Sequence, residues 1–598
     1  MDWYVMLLVF LAVTAALDLF VGVSNDAVNF LNSALGCRIA SFRTVLWTAS
    51  AGVMLGATFS SGMMEVARSG VFHPQMFSFA EIMVIFLAVM VADILLLDTF
   101  NSLGLPTSTT VSIVFELLGS AVAAALFKLT SEGADWTAVA EFINSSKALA
   151  IVSGILISVA VAFVTGAVVQ FLMRLVFSFK VEKAYRRFGA VFAGLAVTAI
   201  VYFLVMKGAK GASFMRPEWI RWIADNTGVI VSVLFAGFTL FFEVLILTTR
   251  VNIFKIIILL GTFSLAFAFA GNDLVNFVGV PLAAFESWQS WRASGVPADT
   301  FLMADLLKPS QAPSLFLLAA GAVMVLTLWF SRKAYRVVQT SINLSAASSG
   351  EEEKFGASLP GRLIVRAGLT VGELVRQILP IGVRSGMASR FESVPLAKGE
   401  TPLPFDYVRA SVNLVVSAAL IASATSLKLP LSTTYVTFMV AMGSSFADGA
   451  WDRESAVYRI SGVLTVISGW FLTALTASTF AGGVATLIFW GGKPAAALLA
   501  AAALLLLLRS NWKRRSEGDS IRSSLVTKYD AAAVTARIQS TSEARLLTTL
   551  AVFYELVQGF FFLQTVRRGC VARRRKPMNS LMSSGATAAS TIGWPTRK

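Results

Sequence analysis

The chain has 598 residues, of which 56% are Ala, Val, Ile, Leu, Met, Phe, Trp, Tyr or Cys and only 14% are charged, whereas soluble domains carry about 25% charged residues. This ratio excludes a water-soluble surface and indicates a membrane protein. The net charge of +15 at pH 7 lies mostly in short segments between apolar runs, so we assign it to membrane topology and not to nucleic-acid binding. Two cysteines and one histidine are too few for a disulfide framework, a metal cluster or Cys/His catalysis.

Apolar runs of about 20 residues, the length that crosses a bilayer core, follow one another along the chain. They lie near residues 3–23, 45–64, 79–97, 109–127, 148–173, 189–206, 228–248, 253–270, 314–331, 411–427, 430–446, 457–484 and 486–508. We therefore predict an all-α polytopic membrane protein with about 12–13 transmembrane helices. The first run has no basic segment before it and no small-residue cleavage pattern after it, so we interpret it as a span and not as a signal peptide.

Short basic segments follow the odd-numbered spans and set the predicted orientation. They begin at Arg38, Arg174, Arg332 and Arg509. If this basic side is cytoplasmic, the N-terminus lies outside and the C-terminal tail lies inside a cell membrane, which we expect to be of the bacterial inner-membrane type. A basic loop near residues 207–221 falls on the outer side in this arrangement and is its counter-evidence.

The sequence also divides into segments of different composition. We predict a first transmembrane repeat at 1–206, a second repeat in two parts at 228–332 and 410–508, a charged cytoplasmic insertion at 333–409 and a basic cytoplasmic tail at 509–598. Apolar residues at helical spacing near 546–566 predict one amphipathic helix in the tail. The cytoplasmic partner of the insertion or the tail stays unknown, membrane lipid surrounds the spans, and a homo-oligomer is left open.

Two short strings occur twice, in the same order. Residues 24–30 (SNDAVNF) recur as residues 271–277 (GNDLVNF), and residues 105–110 (LPTSTT) recur as residues 429–434 (LPLSTT). In the predicted topology each second copy follows a span of opposite direction. The sequence therefore predicts two inverted-topology repeats with re-entrant or broken helices that meet near the midplane, the architecture of many secondary transporters.

The Ser-Thr strings have the chemistry of an anion site. Proline suits a first helical turn, and Ser or Thr suits an N-cap, so each string predicts the N-terminus of a half-helix. Such an end presents free N–H groups and a positive dipole to an anion. The predicted donors to a tetrahedral oxyanion are Thr107, Ser108, Thr109 and Thr110 from the first half and Ser432, Thr433 and Thr434 from the second. The alternative is that these hydroxyls only cap helices.

The Asn-Asp strings place carboxylates inside apolar spans, where an Asp costs about 2.5–3.5 kcal/mol on insertion scales. Asp26, Asn29, Asp273 and Asn276 are our candidates for binding and coupling a cation, either Na⁺ or H⁺, with Asn25 and Asn272 beside the anion. Helix capping is the alternative interpretation. Other acids in apolar runs could line the transport pathway, and Glu65 is our first candidate among them. We favour a structural or interface role for the rest because they have no counterpart in the other half: Asp18, Asp93, Asp98, Glu116 and Glu243.

These four strings resemble the PiT family of inorganic phosphate transporters, which has two G-x-N-D-x-x-N motifs and two P-x-S-T-T motifs. The resemblance covers most of residues 1–508 and implies an inverted-repeat fold that imports phosphate by symport with Na⁺ or, in some members, H⁺. By position, it implies phosphate and cation binding at the Asn-Asp residues named above and phosphate binding at the hydroxyls. This sequence has Val111 and Tyr435 where the family commonly has His, and Phe30 and Phe277 where it has small residues.

The predicted function is a secondary active phosphate importer that works by alternating access, with no enzymatic activity and no cofactor other than the coupling ion. A sulfate or other oxyanion permease of the same fold is the alternative within this class. From other classes, a non-transporting receptor or scaffold, a channel and a membrane enzyme acting on phosphorylated lipid stay open. Against the enzyme, the sequence has no Cys/His nucleophile pair and no Gly-rich phosphate loop.

Overall fold

The computed structural model describes residues 2–103, 107–179, 181–207, 216–308, 312–331, 406–448 and 453–527, together with isolated positions between 358 and 391. Within these residues the fold is all-α: the only β contacts are the isolated bridges Phe72–Ile143 and Ser78–Leu302. Nine of the described helices are long and apolar enough to cross a membrane. The chain is thus an all-α, multi-pass membrane protein. The amphipathic helix predicted near 546–566 and most of the insertion at 333–409 lie outside the described residues.

The helices follow the predicted apolar runs. They are α1 (Trp3–Asp26), α2 (Val28–Gly36), α3 (Phe42–Thr58), α4 (Glu65–Ser69), α5 (Phe79–Leu103), α6 (Thr109–Glu132), α7 (Val139–Phe142), α8 (Ser145–Val176), α9 (Val181–Val201), α10 (Pro217–Asp225), α11 (Thr227–Thr248), α12 (Ile253–Ser294), α13 (Ser314–Phe330), α14 (Tyr407–Ser426), α15 (Thr433–Ala447) and α16 (Arg453–Thr527). The last two predicted runs both lie in α16, which is interrupted at Gly492 by a non-helical φ of 60°.

One end of the bundle, which we call the Tyr4 end, gathers the starts of α1 and α5 with the end of α6. The Tyr4 and Phe79 rings lie 4.8 Å apart, and Lys128 near the end of α6 pairs with Glu81 at 3.2 Å. Trp291, near the end of α12, also packs on Tyr4, with ring centroids 5.1 Å apart. Helices α1 and α12, which carry the two Asn-Asp strings, therefore run in opposite directions.

The opposite end, which we call the Arg174 end, is held by a buried ion-pair network. Arg174, near the end of α8, is 0% exposed and pairs with Asp448 at 2.7 Å and with Asp406 at 2.6 Å. Gln170 donates to the same Asp448 carboxylate at 2.7 Å. Because Asp448 directly follows α15 and Asp406 precedes α14, the network joins α8 to both helices at this end.

Helices α8 and α15 approach each other closely through glycines. A Cβ atom on Gly443 would lie 2.1 Å from the Phe163 carbonyl oxygen, and one on Gly166 would lie 2.6 Å from the Val440 carbonyl oxygen. Small residues at a membrane helix interface allow this backbone contact, which gains packing energy where no hydrophobic effect drives helix association. The contact fixes α15, and hence the Ser-Thr string at its start, against the rest of the bundle.

Candidate functional site

The helix starts predicted at the two Ser-Thr strings are present. Ser108 is the N-cap of α6 and accepts a hydrogen bond from the Val111 N–H at 3.2 Å. Ser432 is the N-cap of α15 and accepts one from the Tyr435 N–H at the same distance. The two helices begin inside the bundle and leave in opposite directions, α6 toward the Tyr4 end and α15 toward the Arg174 end. Leu105 and Pro106 of the first string lie outside the described residues.

In the first half, the Asn-Asp string contacts the Ser-Thr string of the same half. The Asn25 amide donates to the Thr107 carbonyl oxygen at 3.2 Å and to Oδ1 of Asp26 at 3.3 Å. Thr109 donates its hydroxyl to Oδ2 of Asp26 at 3.2 Å. Asp26 is 1% exposed, so its carboxylate is enclosed and stabilised by these donors.

The second half repeats these contacts position by position. The Asn272 amide donates to the Leu431 carbonyl oxygen at 2.8 Å and to Oδ1 of Asp273 at 2.6 Å. Thr433 donates its hydroxyl to Oδ2 of Asp273, which is also 1% exposed. The two strings therefore form one hydrogen-bonded unit in each half, built from equivalent residues.

Further hydrogen bonds cross between the halves, again in equivalent pairs. Thr434 donates to Asp26 at 3.2 Å, and Thr110 donates to Asp273 at 3.4 Å. The Asn29 amide donates to the Thr433 and Thr434 hydroxyls at 3.3 and 3.0 Å. The Asn276 amide donates to the Thr109 and Thr110 hydroxyls at 3.2 and 2.9 Å. The structure thus brings all the predicted Asn, Asp, Ser and Thr residues into one buried cluster.

The hydrogen bonds define what this cluster can do chemically. A threonine hydroxyl has one proton to donate, and Thr109, Thr433 and Thr434 each place it on a carboxylate. Hydroxyl, carboxylate and carbonyl oxygens are the ligands that hard cations such as Na⁺ prefer. The α6 and α15 N-termini add positive dipole ends and backbone N–H groups to this cluster. The cluster therefore combines cation ligands with anion donors.

Two further threonines join this cluster and were missed by the sequence analysis. Thr437 donates to Oδ1 of Asn29 at 3.3 Å, and Thr425 donates to Oδ1 of Asn272 at 3.3 Å. Thr437 lies one helical turn after Thr433, a spacing that could have indicated it. The sequence around Thr425 carries no such signal, because its role depends on how α14 packs against α12.

The Thr107 hydroxyl differs from the other candidate donors. Its oxygen is buried and has no hydrogen-bond partner among the described residues, whereas the equivalent position in the second half is Leu431. A buried hydroxyl without a partner costs about 1–3 kcal/mol. Among the described residues, nothing therefore occupies the Thr107 hydroxyl, which lies next to the Ser108 N-cap.

Glu65 does not reach the cluster. It is paired with Lys428 at 2.7 Å and with Lys147 at 3.7 Å, and its side chain is 44% exposed. The hydrogen bond from Lys428 holds the pKa of the Glu65 carboxyl below its ordinary value. Lys428 itself has a φ of 55° and immediately precedes the second LPLSTT string, so the pair lies at the approach to that string and links α4 with the end of α14.

The sequence predicts re-entrant or broken helices, and the two Asn-Asp strings differ in this respect: the first lies across the junction of α1 and α2, whereas the second lies inside α12. Helix α12 runs without interruption from Ile253 to Ser294, through Asp273. Between α1 and α2, Ala27 keeps helical dihedrals of −53° and −28° and its N–H bonds to the Val23 carbonyl. Most backbone carbonyls here stay in helical hydrogen bonds, but Pro281 has no N–H to donate to the Phe277 carbonyl at the end of the second string. Outside the helical hydrogen bonds, the site therefore has side-chain oxygens and the carbonyls of Phe277, Thr107 and Leu431.

Comparisons with known proteins identify the family. The model of the phosphate transporter family matches residues 22–349, more than half of the chain. A solved structure described as "The sodium-dependent phosphate transporter" is 19% identical in sequence, covers 81% of this chain and 98% of its own, and superposes with a TM-score of 0.54; at this identity the likeness shows a shared fold alone. No curated protein sequence matches the chain. The resemblance noted in the sequence is thus confirmed: the chain belongs to the phosphate transporter family.

Proposed function

We propose that this protein is a secondary active transporter that imports inorganic phosphate by symport with Na⁺ or H⁺, through alternating access. The observation that carries the proposal is the buried cluster in which two helix N-termini and two carboxylates are joined by equivalent hydrogen bonds from both halves. Membership of the phosphate transporter family supports phosphate as the substrate, and the sodium-dependent transporter of similar fold supports Na⁺ as a coupling ion.

We propose that phosphate binds to the donors at the two helix starts. Thr107 offers a hydroxyl that has no hydrogen-bond partner in the described part of the chain, and the first turns of α6 and α15 offer backbone N–H groups beside Ser108 and Ser432. Helix N-termini bind tetrahedral anions in many proteins through such N–H groups and the helix dipole. Asn25 and Asn272 lie beside these donors and would complete the anion site.

We propose that the coupling cation binds at the carboxylates of Asp26 and Asp273. A cation that ligates Asp26 would replace the protons now donated by Thr109 and Thr434. These hydroxyls could then turn their protons toward an incoming anion, while the cation offsets the charge of that anion. Asn29 and Asn276 would keep the same hydroxyls in place. The hydroxyls thus couple the two ions, since each proton serves either the carboxylate or phosphate.

Alternating access would follow from inverted repeats, in which one half rocks against the other around a central site. The antiparallel course of α1 and α12, and of α6 and α15, supports this arrangement. We place the Tyr4 end outside and the Arg174 end in the cytoplasm of the cell membrane, because basic segments such as that after α8 favour the cytoplasm. Phosphate would then enter from the Tyr4 end.

Uptake of radiolabelled phosphate into proteoliposomes containing the purified full-length protein tests this function. An inward Na⁺ gradient should stimulate uptake over an equal choline gradient, and unlabelled phosphate should compete better than sulfate. Stronger competition by sulfate would favour the oxyanion permease alternative. Absence of both gradient-driven uptake and counterflow for either anion would refute transport and favour a receptor or scaffold.

A further inference from the structure

A second group of buried acids lies apart from the cluster at the helix starts. Asp18 on α1, Asp93 on α5 and Glu116 on α6 are 0%, 2% and 0% exposed. Within the described part of the chain, no Lys or Arg forms an ion pair with any of them. The sequence analysis interpreted all three as structural residues, but a buried carboxylate without a cationic partner costs several kcal/mol. Their presence needs another explanation.

The three acids lie at the same depth in the bundle. Asp18 is 15 residues from the start of α1, Asp93 is 14 residues from the start of α5, and Glu116 is 16 residues before the end of α6. Because these three helix ends meet at the Tyr4 end, each acid lies about 21–24 Å along its helix from that end. Asp26 is two turns further along α1. The acids therefore lie between the Tyr4 end and the central cluster.

Side-chain contacts join these acids in a row. Ser112 donates its hydroxyl to Oε1 of Glu116 at 2.7 Å, and it also contacts the Asp93 carboxyl. The Asp93 carboxyl in turn lies close enough to the Asp18 carboxyl for the two groups to interact. We call Glu116, Ser112, Asp93 and Asp18 the acid chain. Two neighbouring carboxylates repel each other, and a proton on one of them removes this repulsion and supplies a donor for the other.

Several buried oxygen atoms in and beside the acid chain have no hydrogen-bond donor among the described residues. Neither oxygen of Asp18 receives a hydrogen bond from a described N–H or hydroxyl group, and neither does Oε2 of Glu116. The hydroxyl oxygen of Ser120 is also buried without a described partner. Ser120 lies one helical turn after Glu116, on the same face of α6 and nearer the Tyr4 end. Protons on these oxygens would provide the donors that the surrounding residues do not.

Comparison of the two halves shows that packing does not require acids at these positions. The spacings that pair Asp26 with Asp273 and Ser108 with Ser432 also pair Asp18 with Leu265, Asp93 with Ser417 and Glu116 with Val440. All three counterparts are buried. The second half thus fills the equivalent positions with apolar or hydroxyl side chains, and the acids are an addition confined to the first half.

The surroundings favour a proton over a metal ion. No group of three or more Cys, His, Asp or Glu side chains is placed to hold a metal ion among the residues that the structure covers. Helices α5 and α6 are continuous around Asp93 and Glu116, so their carbonyls are occupied by helical hydrogen bonds. A Na⁺ ion would therefore find few neutral oxygen ligands beyond the Ser112 and Ser120 hydroxyls, whereas a proton needs only the carboxyl pair.

We infer that the acid chain binds a proton and passes it from the Tyr4 end toward Asp26, so that this protein couples phosphate uptake to protons. The inference rests on the proposed phosphate transport and adds a proton site to it. The charged groups nearest the acid chain are Asp26 on α1 and, beyond it, Asp273 on α12. Asp98 lies five residues after Asp93 on α5, and helix α13, which packs on α1, has no titratable side chain.

Infrared spectroscopy of the full-length protein in lipid nanodiscs tests the proton site directly. The wild type should show the carbonyl stretch of protonated carboxyl groups at neutral pH, shifted in D₂O. The triple variant Asp18→Leu/Asp93→Ser/Glu116→Val installs the counterparts from the second half and should lose part of this band. Asp135→Asn, in an exposed loop, should keep it. A band of equal area in the wild type and the triple variant would overturn the proton site, whatever the transport activity.

Transport tests the coupling. Initial rates of phosphate uptake would be measured in Na⁺-free proteoliposomes at fixed external pH and clamped membrane potential, with lumenal pH varied, so that the external ionic form of phosphate stays constant. The wild-type and Asp135→Asn rates should rise with lumenal pH, and Glu116→Gln should lose this dependence. A wild-type uptake rate that does not change with lumenal pH would overturn the proposed proton coupling, but not the proposed phosphate transport. Absence of wild-type uptake under both Na⁺ and proton gradients would instead refute the proposed function, and the infrared result would still decide the proton site.

Discussion

The side-chain amide of Asn29 donates a hydrogen bond to Oγ1 of Thr434 at 3.0 Å, although the two residues are 405 positions apart in the chain. The equivalent bond runs from Asn276 to Thr110 at 2.9 Å. Each half therefore uses its Asn-Asp helix to hold the hydroxyls of the other half. The integrity of the site and the packing of the two halves depend on the same few side chains.

Asn276→Ala removes the amide that donates to Thr109 and Thr110. We expect a loss of about 0.5–2 kcal/mol of stability, because interhelical hydrogen bonds in membranes are individually modest. Thermal unfolding of the detergent-solubilised protein would measure it. Asn226→Ala, which removes a local bond to the Trp222 carbonyl, should change the midpoint less. An equal change in both variants would contradict a role in stability for the hydrogen bonds that join the two halves.

Ser108→Ala and Asp26→Asn should separate effects on phosphate binding from effects on cation binding. We expect Ser108→Ala to raise the KM for phosphate by about tenfold, or 1.4 kcal/mol, with a smaller effect on the Na⁺ dependence. Asp26→Asn should act mainly on the cation dependence. Ser432→Ala should resemble Ser108→Ala.

The control for these serine variants is Ser41→Ala, because Ser41 is the N-cap of α3 and accepts a bond from the Thr44 N–H at 3.2 Å. It should lower stability by about 1 kcal/mol and leave the KM for phosphate unchanged. Cation and anion defects of the same size in Ser108→Ala, Ser432→Ala and Asp26→Asn would show that the proposed division of roles is wrong.

Gly443→Ala should destabilise the contact between α8 and α15. Its Cβ would lie 2.1 Å from a backbone oxygen, so the helices must separate, and we expect a cost of more than about 2 kcal/mol. Gly154→Ala in α8 has open space around the added Cβ and should be neutral or slightly stabilising, since Ala favours helix over Gly. Thermal unfolding of the two variants side by side checks this, and similar midpoints would argue against the close approach.

Asp448→Asn should leave the buried Arg174 guanidinium without one of its carboxylates. Breaking a buried ion pair on one side costs about 3–5 kcal/mol. The double variant Arg174→Leu/Asp448→Leu removes the two buried charges and leaves the Asp406 carboxylate, which is 32% exposed and can be hydrated, so it should be more stable than the single variant. Thermal unfolding and expression yield would report the order, and a double variant weaker than the single one would indicate a role for the charges beyond their pairing.

The Glu65–Lys428 pair should stabilise the protein in a pH-dependent way. The folded-state pKa of Glu65 lies below its ordinary value of 4.5, so its contribution is present above pH 4.5 and is lost as the pH falls through the lower folded value. Glu65→Gln should therefore lower the unfolding midpoint slightly at pH 7 and have no effect in strong acid. Lys147→Gln removes only the longer contact to Glu65, at 3.7 Å, so it should lower the unfolding midpoint less than Glu65→Gln does. A Glu65→Gln effect that grows toward acid pH would contradict this sign.

Much of this site could be predicted because the strings that form it occur twice. Repetition singled out Asp26, Asp273 and the hydroxyls, and Ser108 and Ser432 carry N-cap chemistry that operates locally. Thr425 and the acid chain could not be found in this way, because they gain their contacts from packing between distant helices and have no repeated counterpart. The sequence favours Glu65 as a pathway residue because it lies beside Ser60, Ser61 and Gly62, and only the tertiary structure shows its pairs with Lys428 and Lys147.

Helix α12 has one further consequence for how movement could spread through the protein. Its 42 residues, which include Pro281, would extend about 63 Å as a straight helix, and Asp273 lies 20 residues after its start and 21 before its end. Asp273 therefore lies near the middle of this helix. A tilt of about 10° around it would displace both tips by about 5 Å in opposite directions, one beside Tyr4 and the other beside Tyr185, whose hydroxyl accepts from the Ile253 N–H at 3.2 Å. A tilt of α12 caused by ligand exchange at the Asp273 carboxylate would thus move both ends of the helix, one at each face of the membrane.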